Sequence, residues 1–171
     1  SFFQNRPAGV DALVEVVDAM MADLAPHRGI SDPMVDAYAG IGIFAGTVGR
    51  NRTVTAVERS RDSLADAKVN LQGQMKAGTA QIIPSAVERW RPTPATVVVA
   101  DPARVGLGRD GAQTLLGCEP DLFVLVGCDH SSFARDAALL VAAGLKLVRL
   151  VVVDLFPDTS HVETLGAFVR A

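Results

Sequence analysis

Two side chains in the second half of the sequence, a thiol and a carboxylate, are of the kinds that covalent catalysis needs. Cys128 ends an apolar run that begins at Leu122, and Glu163 stands near the start of the last apolar run. A thiolate is a nucleophile, and a glutamate can remove a proton as a general base. Asp101 also ends an apolar run, where it could hydrogen-bond a substrate or order the site. A lone cysteine at a strand end is more often a small buried residue, so the catalytic hypothesis requires the fold to bring these residues together.

A second group of residues has the pattern of a nucleotide-binding turn. Segment Asp36–Phe44 is predicted to be a strand end that continues into a turn with Gly40 and Gly42 and then into a helix. Glycine in such a turn lets a ligand approach the backbone closely. We therefore expect a nucleotide-type ligand here, and the alternative is a tight structural turn without a ligand.

The pattern leaves two nucleotide cofactors open. Segment 40–45 satisfies the dinucleotide fingerprint, and Glu58, at the end of the next apolar run, could bind the ribose diol of NAD or of an adenosyl cofactor. Asp36 precedes the turn, where it could bind a methionine ammonium group directly or through water. Asp101 ends a later run, beside the expected position of a transferable methyl group. Asp36 and Asp101 favour S-adenosylmethionine over NAD.

The elements that would position these residues follow from the alternation of apolar runs with segments of helical periodicity. Strands are predicted at 33–36, 54–58, 80–84, 97–101, 122–128, 145–154 and 162–170. Helices are predicted at 10–24, 61–75, 111–116 and 133–143, with a further turn around Val87. This alternation indicates one α/β domain over residues 1–171 with a mainly parallel sheet.

The last two predicted strands are joined only by Leu155–His161, which is too short for a crossover helix, so they should form an antiparallel hairpin. Ligands of an open α/β sheet bind beyond the carboxyl ends of its parallel strands. The amino end of an antiparallel last strand lies at that same edge. His161 and Glu163 should therefore approach Cys128, and the structural alternative is that Glu163 is an exposed charge opposite Arg149.

Composition and charge exclude several classes of protein. The 171 residues include 16 Lys and Arg against 19 Asp and Glu, a net charge of -3, and 49% are hydrophobic. This excludes a disordered chain and a nucleic-acid binder that relies on a basic surface. The two cysteines, Cys118 and Cys128, have no metal or redox spacing, and no apolar stretch is long enough to cross a membrane. We expect an intracellular, cytoplasmic chain without a metal site. Because it begins with Ser1, we also expect it to be a fragment of a longer protein. Cys118 should be structural, and Arg50 and Arg52 should be solvated.

Four motifs, in order, carry a resemblance to a known family. They are Asp101-Pro102-Ala103-Arg104, Leu125-Val126-Gly127-Cys128-Asp129, Ala134-Arg135-Asp136 and Phe156-Pro157-Asp158-Thr159-Ser160-His161-Val162-Glu163. The sequence resembles the uridine-C5 RNA methyltransferases, which make 5-methyluridine in transfer or ribosomal RNA. The resemblance covers essentially the whole chain, as the C-terminal catalytic domain of that family.

The resemblance implies a Rossmann-like class I methyltransferase fold, with a seven-stranded, mostly parallel sheet and a C-terminal antiparallel hairpin. It implies S-adenosyl-L-methionine as cofactor, tRNA or rRNA as partner, and no membrane partner. Cys128 would be the nucleophile that adds to C6 of uracil, Glu163 the base, and Asp101 a further member of the site. The residues that fall where the family contacts its cofactor are Gln4, Tyr38, Ile43, Glu58, Ser85 and Asp101.

Some positions depart from the family's pattern. Gly127-Cys128-Asp129-His130 stands where the family usually has Ser-Cys-Asn-Pro, and Arg6 stands where an Asn is expected. The family's RNA-binding regions are absent from this sequence, so we expect RNA binding N-terminal to it. Two alternatives stay open: an NAD-dependent oxidoreductase, which gives Cys128 and Glu163 no joint role, and a catalytically degenerate domain that binds RNA or cofactor.

Overall fold

The computed structural model describes residues 7–25, 32–154 and 162–170, and for residues 7 and 8 only the backbone. Gln4 and His161, both named above, lie outside the described residues. The helices are α1 (Pro7–Leu24), α2 (Ile43–Gly46), α3 (Arg61–Asn70), α4 (Gln72–Lys76), α5 (Gly108–Leu116) and α6 (His130–Ala142). The strands are β1 (Pro33–Ala37), β2 (Thr53–Glu58), β3 (Ala80–Pro84), β4 (Val97–Ala100), β5 (Leu122–Gly127), β6 (Leu145–Val153) and β7 (Glu163–Arg170). A single 3-10 turn at Val87–Arg89 follows β3.

All seven strands form one sheet in the order β3-β2-β1-β4-β5-β7-β6. The first five strands pair in parallel, whereas β7 pairs antiparallel with both β5 and β6. This arrangement confirms the predicted mostly parallel sheet and its terminal antiparallel hairpin. The strand order reverses between β1 and β4, which is where ligands bind in open α/β sheets.

The sheet is covered on both faces, because alternate side chains of a strand point to opposite sides. One face carries Met34 and is packed by α1, α2 and the buried Leu71, and we call it the α1 face. The other carries Val35 and is packed by α5 and α6, and we call it the α6 face. Each strand from β1 to β5 therefore contributes to two cores, which explains why the runs are apolar almost throughout rather than alternating.

The predicted helix at 61–75 is wrong in one respect, because it consists of two helices separated at Leu71. Leu71 has φ -97° and ψ 8° and is fully buried against the α1 face. Its side chain would contact a Cβ at Gly42, so the break in the helix lets Leu71 fill the space under the glycine turn. Apolar periodicity marks the buried side of a helix, but it does not reveal a break that tertiary packing causes.

Of two residues whose burial was predicted from the sequence, one differs from the prediction and one agrees with it. Arg52, expected to be solvated, is only 3% exposed and donates from Nη2 to the Ala25 carbonyl oxygen at 2.8 Å. Its Nη1 also lies 3.9 Å from Asp32 Oδ2. Through the bond to Ala25, Arg52 anchors the end of α1 beside β2. Cys118 is buried in the core of the α6 face, as a structural cysteine should be. No helix among the described residues is both long and apolar enough to cross a membrane.

Candidate functional site

The candidate site lies at the carboxyl ends of the parallel strands, which we call the carboxyl edge. Strand β7 runs antiparallel, and its register pairs Thr164 with Gly127. The preceding residue, Glu163, therefore stands beside the end of β5, where Cys128 follows. The pairing confirms that the amino end of the last strand reaches the same edge as the predicted nucleophile.

Five acidic or nucleophilic residues at this edge share one face of the sheet. Each lies two residues from a side chain in the core of the α1 face, and residues two apart in a strand point the same way. These residues are Asp36, Glu58, Asp101, Cys128 and Glu163. The pleat of the sheet, rather than proximity in sequence, thus brings them into one cluster.

Glu163 is not an exposed charge opposite Arg149. Its partner in the register is Val153, and it is only 4% exposed. Arg149 instead pairs with Asp23 of α1 at the surface, with 2.7 Å between Nη2 and Oδ2. The structural alternative for Glu163 is therefore wrong, because the side chain faces the interior of the site.

The carboxyl groups and the thiol of the cluster affect one another. Burial and, to a smaller extent, the charge of Glu163 raise the pKa of Asp101 to about 7. Burial also raises the pKa of the Cys128 thiol, with the same sign of effect from Glu163 and Asp101, while a backbone hydrogen bond and the nearby Arg104 guanidinium lower it. Arg104 is thus the one side chain that is seen to favour the thiolate within the described part of the chain.

Cys128 immediately precedes the N-cap of α6. Asp129 caps this helix, because its Oδ1 accepts from the Ser132 backbone N–H at 2.8 Å. Asp129 stands where the family has Asn, and both residue types are good N-caps. His130 occupies the first helical position, where the family has a proline. Both departures preserve the start of α6, whose N-terminal backbone dipole favours negative charge close to Cys128.

Arg6, another departure, lies outside the described residues. The departure at Gly127 is explained by packing on the opposite side of the sheet. A Cβ at Gly127 would lie 3.2 Å from Phe133 of α6, and a Cβ at Gly166 would lie 2.9 Å from the same ring. Phe133 is buried in the core of the α6 face. The aromatic ring fills the space that a serine side chain would need, so this departure changes the support of the site and leaves the face of Cys128 unaltered.

The glycine turn between β1 and α2 is held by two carboxylates. Glu58 Oε2 accepts from the Gly40 N–H at 2.8 Å, and Asp36 Oδ2 accepts from the Ala45 N–H at 2.8 Å. Gly40 and Gly42 have φ values of 55° and 81°, which favour glycine. The turn is therefore shaped by contacts within the protein before any ligand binds.

The other sequence-predicted cofactor residues surround this turn. Tyr38 has a φ of 58° and donates from its hydroxyl to Glu88 at 2.8 Å. Burial and that hydrogen bond raise the pKa of its phenol. Ile43 begins α2 and is half-buried, and Ser85, after β3, donates to the Ala86 carbonyl oxygen. All three residues lie at the carboxyl edge, and the hydroxyl groups of Tyr38 and Ser85 are engaged within the protein.

The residues of the turn fit an S-adenosylmethionine-type ligand. Asp36 Oδ1 is buried and has no hydrogen-bond partner, so a cationic group close by would satisfy it. A Cβ at Gly40 would meet no heavy atom within 4 Å, which leaves open space above the turn. Glu58 presents a half-buried carboxylate suited to a ribose diol. Among residues 7–25, 32–154 and 162–170, no three His, Cys, Asp or Glu side chains are arranged to hold a metal.

Sequence reasoning assigned no role to Asp136, although it lies in one of the quoted motifs. Asp136 is 1% exposed and accepts from the Leu107 and Gly108 N–H groups at 2.6 and 3.1 Å. The available signal in the sequence was its place in the motif Ala134-Arg135-Asp136 on a predicted helix. Its partners, 28 and 29 residues earlier in the chain, could not be found from spacing alone.

Comparison with known proteins gives a consistent set of relatives, although no family model matches the chain. It is 39% identical over 140 residues to an uncharacterized RNA methyltransferase of Corynebacterium efficiens, covering 79% of this chain and 32% of that protein. It is 31% identical over 146 residues to the 23S rRNA (uracil(1939)-C(5))-methyltransferase of Aliivibrio fischeri, covering 82% and 33%.

A solved structure agrees with these relatives. The tRNA (uracil-54, C5)-methyltransferase of Pyrococcus abyssi, in complex with S-adenosyl-L-homocysteine, superposes with a TM-score of 0.82 at 25% identity, over 99% of this chain and 40% of that one. These relatives are methyltransferases, which decides against the NAD-dependent interpretation of the glycine turn. The chain spans about a third of the length of the curated relatives it matches and belongs to the family of RNA uracil-C5 methyltransferases.

Proposed function

We propose that this chain carries the methyl-transfer site of an S-adenosylmethionine-dependent enzyme that methylates C5 of a uridine in RNA. The observation that carries the proposal is the pairing of β7 with β5, which sets Glu163 beside Cys128 on one face of the sheet. A nucleophile and a base on neighbouring strands can act on adjacent atoms of one flat ring. Asp101, whose pKa responds to Glu163, completes the group.

C5 of uracil is a poor nucleophile, and the proposed role of Cys128 is to activate it. The thiolate sulfur forms a bond to C6, the C5–C6 double bond opens, and its electron pair moves toward C5 and O4. The bound cofactor supplies an electrophilic methyl group on a sulfonium centre. C5 would take that methyl group as the bond between the methyl carbon and the sulfonium sulfur breaks, with a neutral thioether as the leaving group. The ring then carries sulfur at C6 and both a methyl group and a hydrogen at C5.

Glu163 is the proposed base of the second half of the reaction. It removes the proton from C5, the C5–C6 double bond re-forms, and the sulfur leaves C6 as the Cys128 thiolate. A positioned base of this kind typically contributes about 10²–10⁴-fold. Because Glu163 is buried in the strand β7, its position is fixed by the ladder to β5 rather than by a mobile loop.

Arg104 and the start of α6 are the elements that favour the thiolate, against burial and the two acids, which together raise the pKa of Cys128. Arg104 lies in the loop after β4 and lowers the pKa of Cys128, opposing burial and the two acids. Asp129 holds the N-terminus of α6 directly after Cys128. The proposed nucleophile therefore depends on two elements, the loop after β4 and the first turn of α6.

The proposed substrate is a uridine that is unstacked from its neighbours, because the reacting face of the ring must reach the carboxyl edge. Unpaired loop nucleotides of a structured RNA cost the least to extrude. The relatives act on different RNAs, 23S rRNA in one case and tRNA in another. With a net charge of -3, this chain has no basic excess for gripping RNA, and we expect that grip from regions matching the remaining length of its relatives.

The test uses RNA in which uridine is replaced by 5-fluorouridine. Fluorine at C5 cannot be removed as a proton, so the reaction stops at the covalent adduct, which migrates as a shifted band on a denaturing gel. Transfer RNA and 23S rRNA fragments are tested separately, each with S-adenosylmethionine. The RNA is supplied in large molar excess, because this chain lacks a basic surface that would hold it tightly. We expect a band with the unchanged chain and with the control Cys118→Ala, whose thiol is buried in the opposite core, and no band with Cys128→Ala.

Three results separate the proposal from its rivals. Glu163→Gln should accumulate a methylated adduct with ordinary uridine, because the C5 proton stays in place. Full turnover by Cys128→Ala would refute the covalent route. Cofactor binding measured by calorimetry without any adduct on either RNA, in the chain and in a full-length relative, would favour a degenerate binding domain.

A further inference from the structure

The loop after β4, residues 101–108, is fastened to the first turns of α6 by a network of hydrogen bonds. Ser132 Oγ donates to the Arg104 carbonyl oxygen at 2.8 Å, and Arg135 Nη2 donates to the Val105 carbonyl oxygen at 2.7 Å. Asp136 accepts from the N–H groups of Leu107, at the end of the loop, and of Gly108, where α5 begins. The network joins the segment that begins at Asp101 to the segment that follows Cys128.

Asp136 also completes a helix that has no cap of its own. Leu107 is the N-cap residue of α5 and has no side-chain hydrogen bond, so the first N–H groups of that helix need another acceptor. Asp136 supplies it from α6, and its negative charge faces the positive end of the α5 dipole. One carboxylate therefore fixes where the loop ends and where α5 begins.

The loop approaches Asp136 so closely that only glycine fits between them. Gly106 has a φ of 76°, and a Cβ there would collide with Asp136 Oδ2 and lie 2.6 Å from Arg135 Nη2. Arg135 in turn donates from Nε to Asp136 Oδ1 at 3.0 Å, and its side chain is half exposed. Arg135 therefore supports the Asp136 carboxylate and is not part of the reaction site. Asp136 itself is buried under the loop and faces away from solvent.

We infer that Asp136 is a positioning residue that acts on the Cys128 thiol through the loop it holds, by keeping Arg104 close to that thiol. This inference rests on the proposed function for its catalytic meaning, but the effect on the thiol exists without RNA or cofactor. The charged groups that face Cys128 are Glu163 from β7 and Asp101 and Arg104 from the loop. Of these, Arg104 is the one that favours the thiolate, and its backbone is held by the network.

The test measures the rate at which iodoacetamide alkylates Cys128 between pH 6 and 10, with peptide mapping to separate it from the buried Cys118. In Asp136→Asn the amide nitrogen cannot accept a hydrogen bond, so one of the two loop N–H groups loses its partner. As Arg104 moves away, the thiol pKa should rise and the midpoint of alkylation should move to higher pH. We expect a shift of about 0.5 pH unit, which is about threefold in rate at neutral pH.

A double-mutant cycle distinguishes positioning from general loosening of the fold. Arg104→Ala should raise the midpoint by itself, and Asp136→Asn should add nothing in the Arg104→Ala background. The matched control is Thr55→Val, which removes a hydrogen bond between a buried hydroxyl and Gln81 on strands far from Cys128. It should change the urea midpoint of unfolding without changing the alkylation profile.

The inference is overturned if Asp136→Asn keeps the wild-type alkylation midpoint, or if its shift adds fully to that of Arg104→Ala. If Asp136→Asn does not unfold cooperatively, Ser132→Ala carries the same test, because it removes the hydroxyl that donates to the Arg104 carbonyl oxygen at 2.8 Å and, within the start of α6, to the Asp129 carbonyl oxygen at 3.1 Å. The part of its smaller shift that comes from the loop should vanish in Arg104→Ala. If no 5-fluorouridine adduct forms but Asp136→Asn shows the expected shift in the alkylation midpoint, the proposed function is refuted and the positioning role stands.

Discussion

Replacement of Asp36 by Asn should make the free energy of unfolding much less dependent on pH. Asp36 is 1% exposed and keeps one hydrogen bond, from the Ala45 N–H, while its second oxygen has no partner. Burial, and to a smaller extent the charges of Asp101 and Glu58, raise its pKa from 3.8 to about 8. Asn has the same shape, can accept from Ala45, and is uncharged at every pH of interest.

The sign and size follow from proton linkage. Between about pH 4 and pH 8 the folded protein holds a proton on Asp36 that the unfolded chain has released, so stability falls as pH rises through that window. The slope from one such group is about 1.4 kcal/mol per pH unit, or roughly 4 kcal/mol between pH 5 and 8. Asp101, with a pKa of about 7, adds a slope of the same sign that ends one unit earlier.

Urea unfolding, followed by the fluorescence of the single tryptophan, Trp90, measures this directly from pH 5 to pH 8.5. The unchanged protein should lose stability steeply as pH rises. Asp36→Asn should match it within about 1 kcal/mol at pH 5, where both side chains are neutral, and exceed it by several kcal/mol at pH 8. Parallel curves for the two proteins would show that Asp36 is ionised throughout and that its burial does not govern its protonation.

Three further substitutions test the support of the site. Glu58→Gln should weaken binding of S-adenosyl-L-homocysteine about tenfold or more in calorimetry, because a charged acceptor worth roughly 1.5–3 kcal/mol is lost, and unchanged affinity would exclude Glu58 from the cofactor site. Phe133→Ala should lower the free energy of unfolding by about 3–5 kcal/mol in urea, since the ring fills the space over Gly166, and a loss below 1 kcal/mol would contradict that packing. Gly42→Ala, at a φ of 81° and with its Cβ 3.0 Å from Leu71, should cost about 1–3 kcal/mol in the same assay, whereas a stabilised variant would contradict the strained turn.

The parts of the fold that could be predicted are those written in local patterns. Apolar runs ending in Asp36, Glu58, Asp101 and Cys128 marked the carboxyl ends of four parallel strands, because buried strands are continuous and their ends are polar. The shortness of the link before β7 excluded a crossover and so predicted the antiparallel hairpin. These two signals were enough to anticipate which side chains would meet.

The parts that could not be predicted depend on contacts between distant segments. Arg52 is buried because the end of α1 offers it a carbonyl oxygen, and nothing near it in the sequence indicates this. The helix breaks at Leu71 because the side chain of Leu71 packs under the glycine turn. The role of Asp136 depends on its hydrogen bonds to a loop about thirty residues earlier in the chain. Sequence periodicity reports which side of an element is buried, but not which remote backbone group it satisfies.

An acidic cluster is an unexpected surrounding for a site proposed to receive RNA, whose phosphates repel negative charge. The raised pKa values reduce that conflict, because Asp36 and Asp101 titrate at about 8 and about 7 and so are largely or partly protonated near neutral pH. Arg104, in the loop after β4, is by contrast an exposed cation at this edge. The site therefore presents less negative charge to a polyanion than its composition implies, while its carboxyl groups remain available to a cation. An approaching cation would favour their ionised forms, so binding of a cationic ligand should be accompanied by proton release, most strongly between about pH 6 and pH 8.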